Sequence, residues 1–130
     1  MGLDNGIVIK KNEKTSAIED KFGALFDERT YNDEYDVCYW RKCWNIRNEI
    51  LYIINHRFEE EYEFSLDVED VEQIIEFLGS LDADTWTDSG SSIWDWDEME
   101  EHVQQDIENL NALVELMQEY DLDVKFYDSY

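Results

Sequence analysis

The chain has 130 residues, 43% apolar and 15% aromatic, with a formal net charge of −24. Five Trp, eight Tyr and six Phe give it enough apolar surface to bury a core, which excludes a disordered acidic tail. The charge excludes direct attraction to DNA, RNA or an anionic membrane, whose phosphates are held by positive charge.

Ile7 to Lys10 reads as a short strand, bounded by Asn5-Gly6 before it and polar residues after it. In Thr15 to Phe26, Ile18, Phe22 and Leu25 or Phe26 have helical spacing, weakened by Gly23. Asp27 to Asp36 is polar and turn-rich. Tyr35 to Trp40 reads as a second strand, with Val37 and Tyr39 alternating against Asp36 and Cys38.

Val37 to Phe58 is the longest apolar segment and holds four of the ten basic residues. A helix is predicted from Arg41 or Cys43 to Arg57. Cys43, Ile46, Ile50 and Ile53 form one stripe, and Trp40, Trp44, Leu51, Ile54 and Phe58 form a second beside it. A surface helix needs one apolar stripe, so two predict a helix covered on most sides.

Tyr62, Phe64 and Leu66 alternate with Glu61, Glu63 and Ser65, the pattern of a short strand. Asp67 then reads as an N-cap, with Asp70 three residues on, for a helix whose face is Val68, Val71, Ile74, Ile75 and Leu78 and whose stop is Gly79. Leu81 to Ser92 reads as a loop. Asp95 caps a long helix over Trp96–Tyr120, with Met99, Val103, Ile107, Leu110, Leu113, Val114 and Met117 on its buried side. A last strand, Leu122 to Tyr127, alternates Leu122, Val124 and Phe126 against Asp121, Asp123 and Lys125. This order predicts one α+β domain over residues 1–130, a three- or four-stranded sheet covered by about three helices.

The opening residues lack a basic region followed by an apolar run, so no signal peptide is expected. No run is long and uncharged enough to span a bilayer. Two cysteines, Cys38 and Cys43, fit a cytoplasmic chain with reduced thiols.

No nucleophile elbow, metalloprotease helix or phosphate-cradling glycine loop is present, so no enzyme and no cofactor is expected. Asp82 to Asp88 has a faint likeness to a calcium loop. It fails at Thr87, where the sharp turn needs glycine, and at Ile93, where a bidentate glutamate belongs. His56 and His102 lack the spacing for a zinc site with the two cysteines.

Two features remain. Residues 1–57 hold nine Lys/Arg against ten Asp/Glu, a net of −1, whereas residues 58–130 hold one against twenty-four, a net of −23. The long helix would run about 37 Å and carry Asp95 at its start, then Asp97, Glu98, Glu100, Glu101, Asp106, Glu108, Glu115 and Glu119. Glu69, Glu72 and Glu76 on the preceding helix add to it. One charge every ~4–5 Å compares with ~3.4 Å between phosphates of one DNA strand. Such a face fits the basic groove of a nucleic-acid-binding protein. The bland alternative is a solubilising surface. The second feature is Trp40, Arg41, Lys42, Trp44 and Arg47, cations beside aromatics at a strand–helix junction. They suit an anionic, stackable ligand such as a nucleotide, with Trp94, Trp96, Tyr127 and Tyr130 as further wall. The alternative is that these aromatics are core and the cations pair with nearby acids.

The opening Met-Gly-Leu-Asp-Asn-Gly-Ile, the Tyr39-Trp40-Arg41-Lys42-Cys43-Trp44 block with Arg47-Asn48, the Ser92-Ile93-Trp94-Asp95 block and the closing Phe126-Tyr127-Asp128-Ser129-Tyr130 resemble a family of small acidic proteins from phages and prophages of Gram-positive bacteria. The resemblance spans nearly the whole chain and implies a setting in the bacterial host cytoplasm, without a mechanism. By analogy of size and charge, it places the chain beside DNA-mimic anti-restriction and anti-CRISPR inhibitors. The leading expectation is a non-enzymatic inhibitor of a host defence protein, docking its acidic face on a basic nucleic-acid-binding partner. The alternatives are a pocket protein that sequesters a nucleotide immune signal and a small enzyme of unknown reaction. The apolar stripe of the last helix would also serve a homo-oligomer.

Overall fold

The strand expected from Ile7 begins three residues earlier, and this β1 (Asp4–Lys10) is the centre of the sheet. It pairs antiparallel with β3 (Glu34–Arg41) on one side and β5 (Asp123–Ser129) on the other. The computed structural model describes residues 4–11, 26–29, 34–41, 43–54, 63–89 and 95–129. The three-residue strands β2 (Asp27–Arg29) and β4 (Glu63–Ser65) flank β3 and β5, so the order is β2-β3-β1-β5-β4, antiparallel throughout. The fold is α+β. The sheet has five strands because β2 forms in the stretch expected to be turn. Asp-Glu-Arg has no apolar alternation, and the ladder to Glu34–Asp36 makes it a strand.

Asn5-Gly6 reads as a turn, yet lies inside β1. The reason is its cross-strand neighbours: Gly6 faces Tyr39 on β3 and Tyr127 on β5. A Cβ on Gly6 would fall 2.6 Å from the Cys38 carbonyl oxygen and 2.6 Å from Tyr127 Cε1, so the tyrosine ring lies in the space a side chain would take.

Alternation sorts the sheet into two faces. Asn5, Ile7 and Ile9 share one with Cys38 and Trp40 of β3 and Val124, Phe126 and Asp128 of β5, and all are buried. The other face carries Lys10, which bridges Glu34 at 3.0 Å and Glu63 at 2.8 Å, and Lys125, which donates to Ser65 at 2.6 Å.

The helices join the first face. Helix α1 (Trp44–Ile53) buries Ile46, Ile50 and Leu51, but Tyr52 is 69% exposed and Trp44 37%. It is therefore covered on one side, not on most. Trp40 of the second expected stripe belongs to β3, and Trp44 opens the helix. Residues 55–57 of the expected helix, with Phe58–Tyr62 and most of Thr15–Phe26, lie outside the described residues, although Phe26 is buried. Helix α2 (Val68–Gly79) starts at a reciprocal cap: the Asp67 carboxylate accepts from Asp70 N–H at 2.8 Å, and Asp70 accepts from Asp67 N–H at 3.1 Å.

The loop expected over Leu81–Ser92 contains a short helix, α3 (Ala83–Ser89). Asp82 accepts from Thr85 N–H at 2.9 Å, the Thr85 hydroxyl accepts from Asp82 N–H at 2.8 Å, and buried Trp86 packs on Trp96 with centroids 5.8 Å apart. The Asp82 carboxyl, held below its usual range chiefly by the Thr85 N–H, is thus a cap in the segment that resembles a calcium loop. Helix α4 (Trp96–Glu119) spans the domain and packs along α2 and β3. Among the described residues no helix is long and apolar enough to cross a membrane.

Candidate functional site

Helices α2 and α4 lie side by side because each has one apolar stripe. Val71, Ile74 and Leu78 share a core with Met99, Val103, Leu110 and Leu113. Burying each Val, Leu or Ile contributes about 1.5–3 kcal/mol, and this turns both polar faces outward. Glu69, Glu72 and Glu76 of α2 are exposed, as are Asp97, Glu98, Glu100, Glu101 and Glu108 of α4. Asp95, also exposed, accepts from the Glu98 N–H at 3.1 Å and so caps α4. The sequence holds no Lys or Arg between Phe58 and Val124, so neither helix carries a lysine or arginine to neutralise the surface.

Asp106 does not belong to that surface. It is 4% exposed and points inward, between Val103 and Leu110 on the buried stripe. Its Oδ2 accepts from the Trp40 indole N–H at 2.8 Å and lies 2.9 Å from His102 Nδ1. A buried carboxylate needs such partners. The hydrogen bond to Asp106 holds the His102 imidazole above its ordinary pKa against the opposing effect of burial, and the Asp106 charge and the carbonyls of His102 and Tyr39 add to it.

The same contacts finish the edge of β3. Strand β2 covers only residues 34–36, and α4 lies against the remainder of the strand. Asn109 Nδ2 donates to the Val37 carbonyl at 3.0 Å, the Tyr39 carbonyl meets His102, and the Cys43 thiol donates to the Arg41 carbonyl at 3.5 Å. Capping the carbonyls in this way blunts an edge that would otherwise template further strands. The Cys38 thiol, buried and close to Asp106 and Asp36, is pushed well above its usual pKa and is chemically quiet.

The aromatic–basic block is split by the fold. Trp40 is core, 1% exposed. Arg47 makes a two-pronged bond to Asp128, Nε to Oδ1 at 2.7 Å and Nη2 to Oδ2 at 2.8 Å, and Asn5 Nδ2 donates to the same carboxylate at 2.6 Å. Arg47 is thus a structural cation joining α1 to β5, with its guanidinium engaged. Lys42, Trp94 and Tyr130 lie outside the described residues. Trp96 packs on Trp86, and Tyr127 covers Gly6.

A pocket of about 390 Å³ opens between the end of β3 and the first turns of α4, lined by Tyr39, Trp40, Arg41, Glu98, Met99 and His102, with Cys43 beside them. Of the residues expected to hold a ligand, Trp40 and Arg41 line it, whereas Trp44 and Arg47 do not. A second, more polar recess of about 290 Å³ lies on the other side of His102 and Tyr39, against Asp36, Gln105 and Asn109.

Comparison with protein-family models, with curated proteins and with solved structures finds no match to this chain.

Proposed function

We propose that the chain is a non-enzymatic inhibitor that docks the outer faces of α2 and α4 on a basic, nucleic-acid-binding protein. In the setting implied by the resemblance to phage proteins, that partner is a host defence protein. One observation carries the reading: the exposed carboxylates of two packed helices, joined by the exposed cap Asp95, lie in a stretch of sequence without Lys or Arg. Carboxylates fixed on rigid helices keep their spacing, as phosphates on a strand do. Opposite charge then steers the partner, giving fast and salt-sensitive association.

The test is capture of a host partner by the tagged chain, repeated in high salt, with duplex DNA as competitor, and with a Glu72→Lys/Glu101→Lys/Glu108→Lys variant. The expected partner is released by salt, displaced by DNA and not retained by the variant. Exposed charges are screened beyond about 8 Å at physiological salt and within about 3 Å near 1 M, so capture indifferent to all three would overturn the proposal.

A further inference from the structure

We propose that the pocket between α1 and the C-terminal end of α2 is a binding site for a guanidinium group, filled by an arginine side chain of the basic partner. The inference rests on the docking of α2 and α4 proposed above and names one contact of it. The pocket holds about 460 Å³, within the ~300–1,000 Å³ typical of binding sites. Phe77 and Leu81, both half-buried, form an apolar wall for the aliphatic stem of the arginine. Tyr52, 69% exposed, presents a ring on which a planar cation can stack. Glu76, the last carboxylate of the docking face on α2, is exposed and immediately precedes Phe77, so the pocket lies at the edge of that face.

The polar lining offers acceptors. The Ser80 hydroxyl donates to the Phe77 carbonyl at 2.6 Å. The Thr85 hydroxyl donates to Asp82, whose backbone carbonyl lies at 3.2 Å and whose carboxylate lies at 3.1 Å. Both protons are committed within the protein, so these two oxygens can only accept from a ligand. Glu49, half-buried, is the one charged group among the described lining residues, and it forms no ion pair among the described residues. Asn45, 8% exposed, and Asn48 add amide oxygens. A guanidinium has five donors and no acceptor, and so complements this set, whereas an ammonium has three donors and no plane to stack. The neighbouring charges point the same way. Asp82 and Asp84, beside the lining residues Leu81 and Thr85, are exposed acids. Helix α2 ends here with no basic residue in its last turn, so the negative end of its dipole also favours a cation. Arg47, between Asn45 and Asn48 in sequence, is held by Asp128. An anion would be repelled by a chain of net charge −24.

The probe is Nα-acetyl-arginine methylamide, titrated into the isotope-labelled full chain and followed by amide NMR. The citrulline analogue supplies the same shape without the charge. The expected result is saturable shifts at Asn45, Asn48, Ser80 and Thr85, with the citrulline analogue at least about fivefold weaker. Glu49→Gln, which removes the charge at constant shape, and Tyr52→Ala, which removes an exposed ring, should each weaken the probe about fivefold with unchanged circular dichroism, and each should reduce capture of the partner. The Glu101→Lys/Glu108→Lys variant should bind the probe normally while losing the partner. Absence of saturable shifts at these positions, equal binding of the citrulline analogue, or undiminished binding by folded Glu49→Gln would overturn the guanidinium site and leave the docking of α2 and α4 standing. Capture indifferent to salt would overturn that docking, and with it the arginine of the partner, while the probe titration stood.

Discussion

The indole N–H of Trp40 donates to the carboxylate of Asp106 at 2.8 Å, across 66 residues of sequence and entirely within the core. This bond fixes the end of β3 against the middle of α4 and holds His102 on the other side of the same oxygen. It also takes one acid out of a helix whose outer face is acidic.

Asp106→Ala should destabilise the fold by about 1–3 kcal/mol, because it strands a buried indole N–H. Trp40→Phe should disturb the carboxylate less, since His102 remains its partner, although the lost indole volume adds its own cost. Urea denaturation of folded variants measures both. Because Asp106 is buried, any variant there that still folds should bind the proposed partner with native affinity. An Asp106→Ala protein as stable as the parent would contradict the role assigned to the carboxylate.

His102 makes stability depend on pH in a specific direction. Its pKa is raised in the folded chain, so the folded state binds the proton more tightly than the unfolded state does. The contribution is fully present below the unfolded value of about 6.5 and fades as pH rises through the raised folded value. The difference in urea midpoint between the native chain and His102→Gln should therefore be largest on the acid side of that unfolded value and shrink as the solution becomes alkaline. A difference that is flat or grows with pH would be inconsistent with the Asp106 contact. The carboxylate background is common to both proteins and cancels.

Arg47→Ala should act on stability rather than on ligand binding. The mutation removes both guanidinium bonds from Asp128, which is 5% exposed, and leaves it the amide of Asn5 in the core. Breaking a buried ion pair from one side costs about 3–5 kcal/mol. A thermal melt should show a loss of many degrees, whereas Arg41→Gln should leave the melt nearly unchanged. Equal melts for Arg47→Ala and the native chain would place Arg47 at a functional surface instead.

Gly6→Ala should also destabilise, by about 1–3 kcal/mol, since overpacking forces neighbours to shift. Of the two atoms at 2.6 Å, one is a side-chain ring atom of Tyr127 and the other is a backbone oxygen of Cys38. Combining Gly6→Ala with Tyr127→Ala should therefore restore little, because the backbone contact remains. Full recovery in the double variant, read from urea midpoints, would show that the ring alone excludes the methyl group.

Much of the helical fold is legible in local pattern. The Asp67 cap, the Val71–Ile74–Leu78 stripe and the Met99–Val103–Leu110–Leu113 stripe are periodic over many residues, and period decides which face is buried. Asp106 was legible by the same rule: it follows Val103 by three and precedes Leu110 by four, so it sits on the apolar seam and must be buried with a partner. Asp128 likewise continues the inward parity of Val124 and Phe126. Reading Asp106 as surface by residue type, against its period, is what puts it in the acidic face. Helix α3 escapes because seven residues are too few to show a period, and only the Asp82–Thr85 pair marks its start.

The sequence by itself determined the α+β class, the extents of α2 and α4, and the concentration of carboxylates after Phe58, because these rest on spacing and charge along the chain. Only the tertiary structure decided which charges are held inside. Whether Arg47 meets a ligand or Asp128, 81 residues away, depends on where two distant elements come to rest. The same holds for Trp40 and Asp106, and for the pocket beside them. Spacing along a chain carries no information about such pairs; burial does, because a charge removed from water must find its partner wherever the fold brings one.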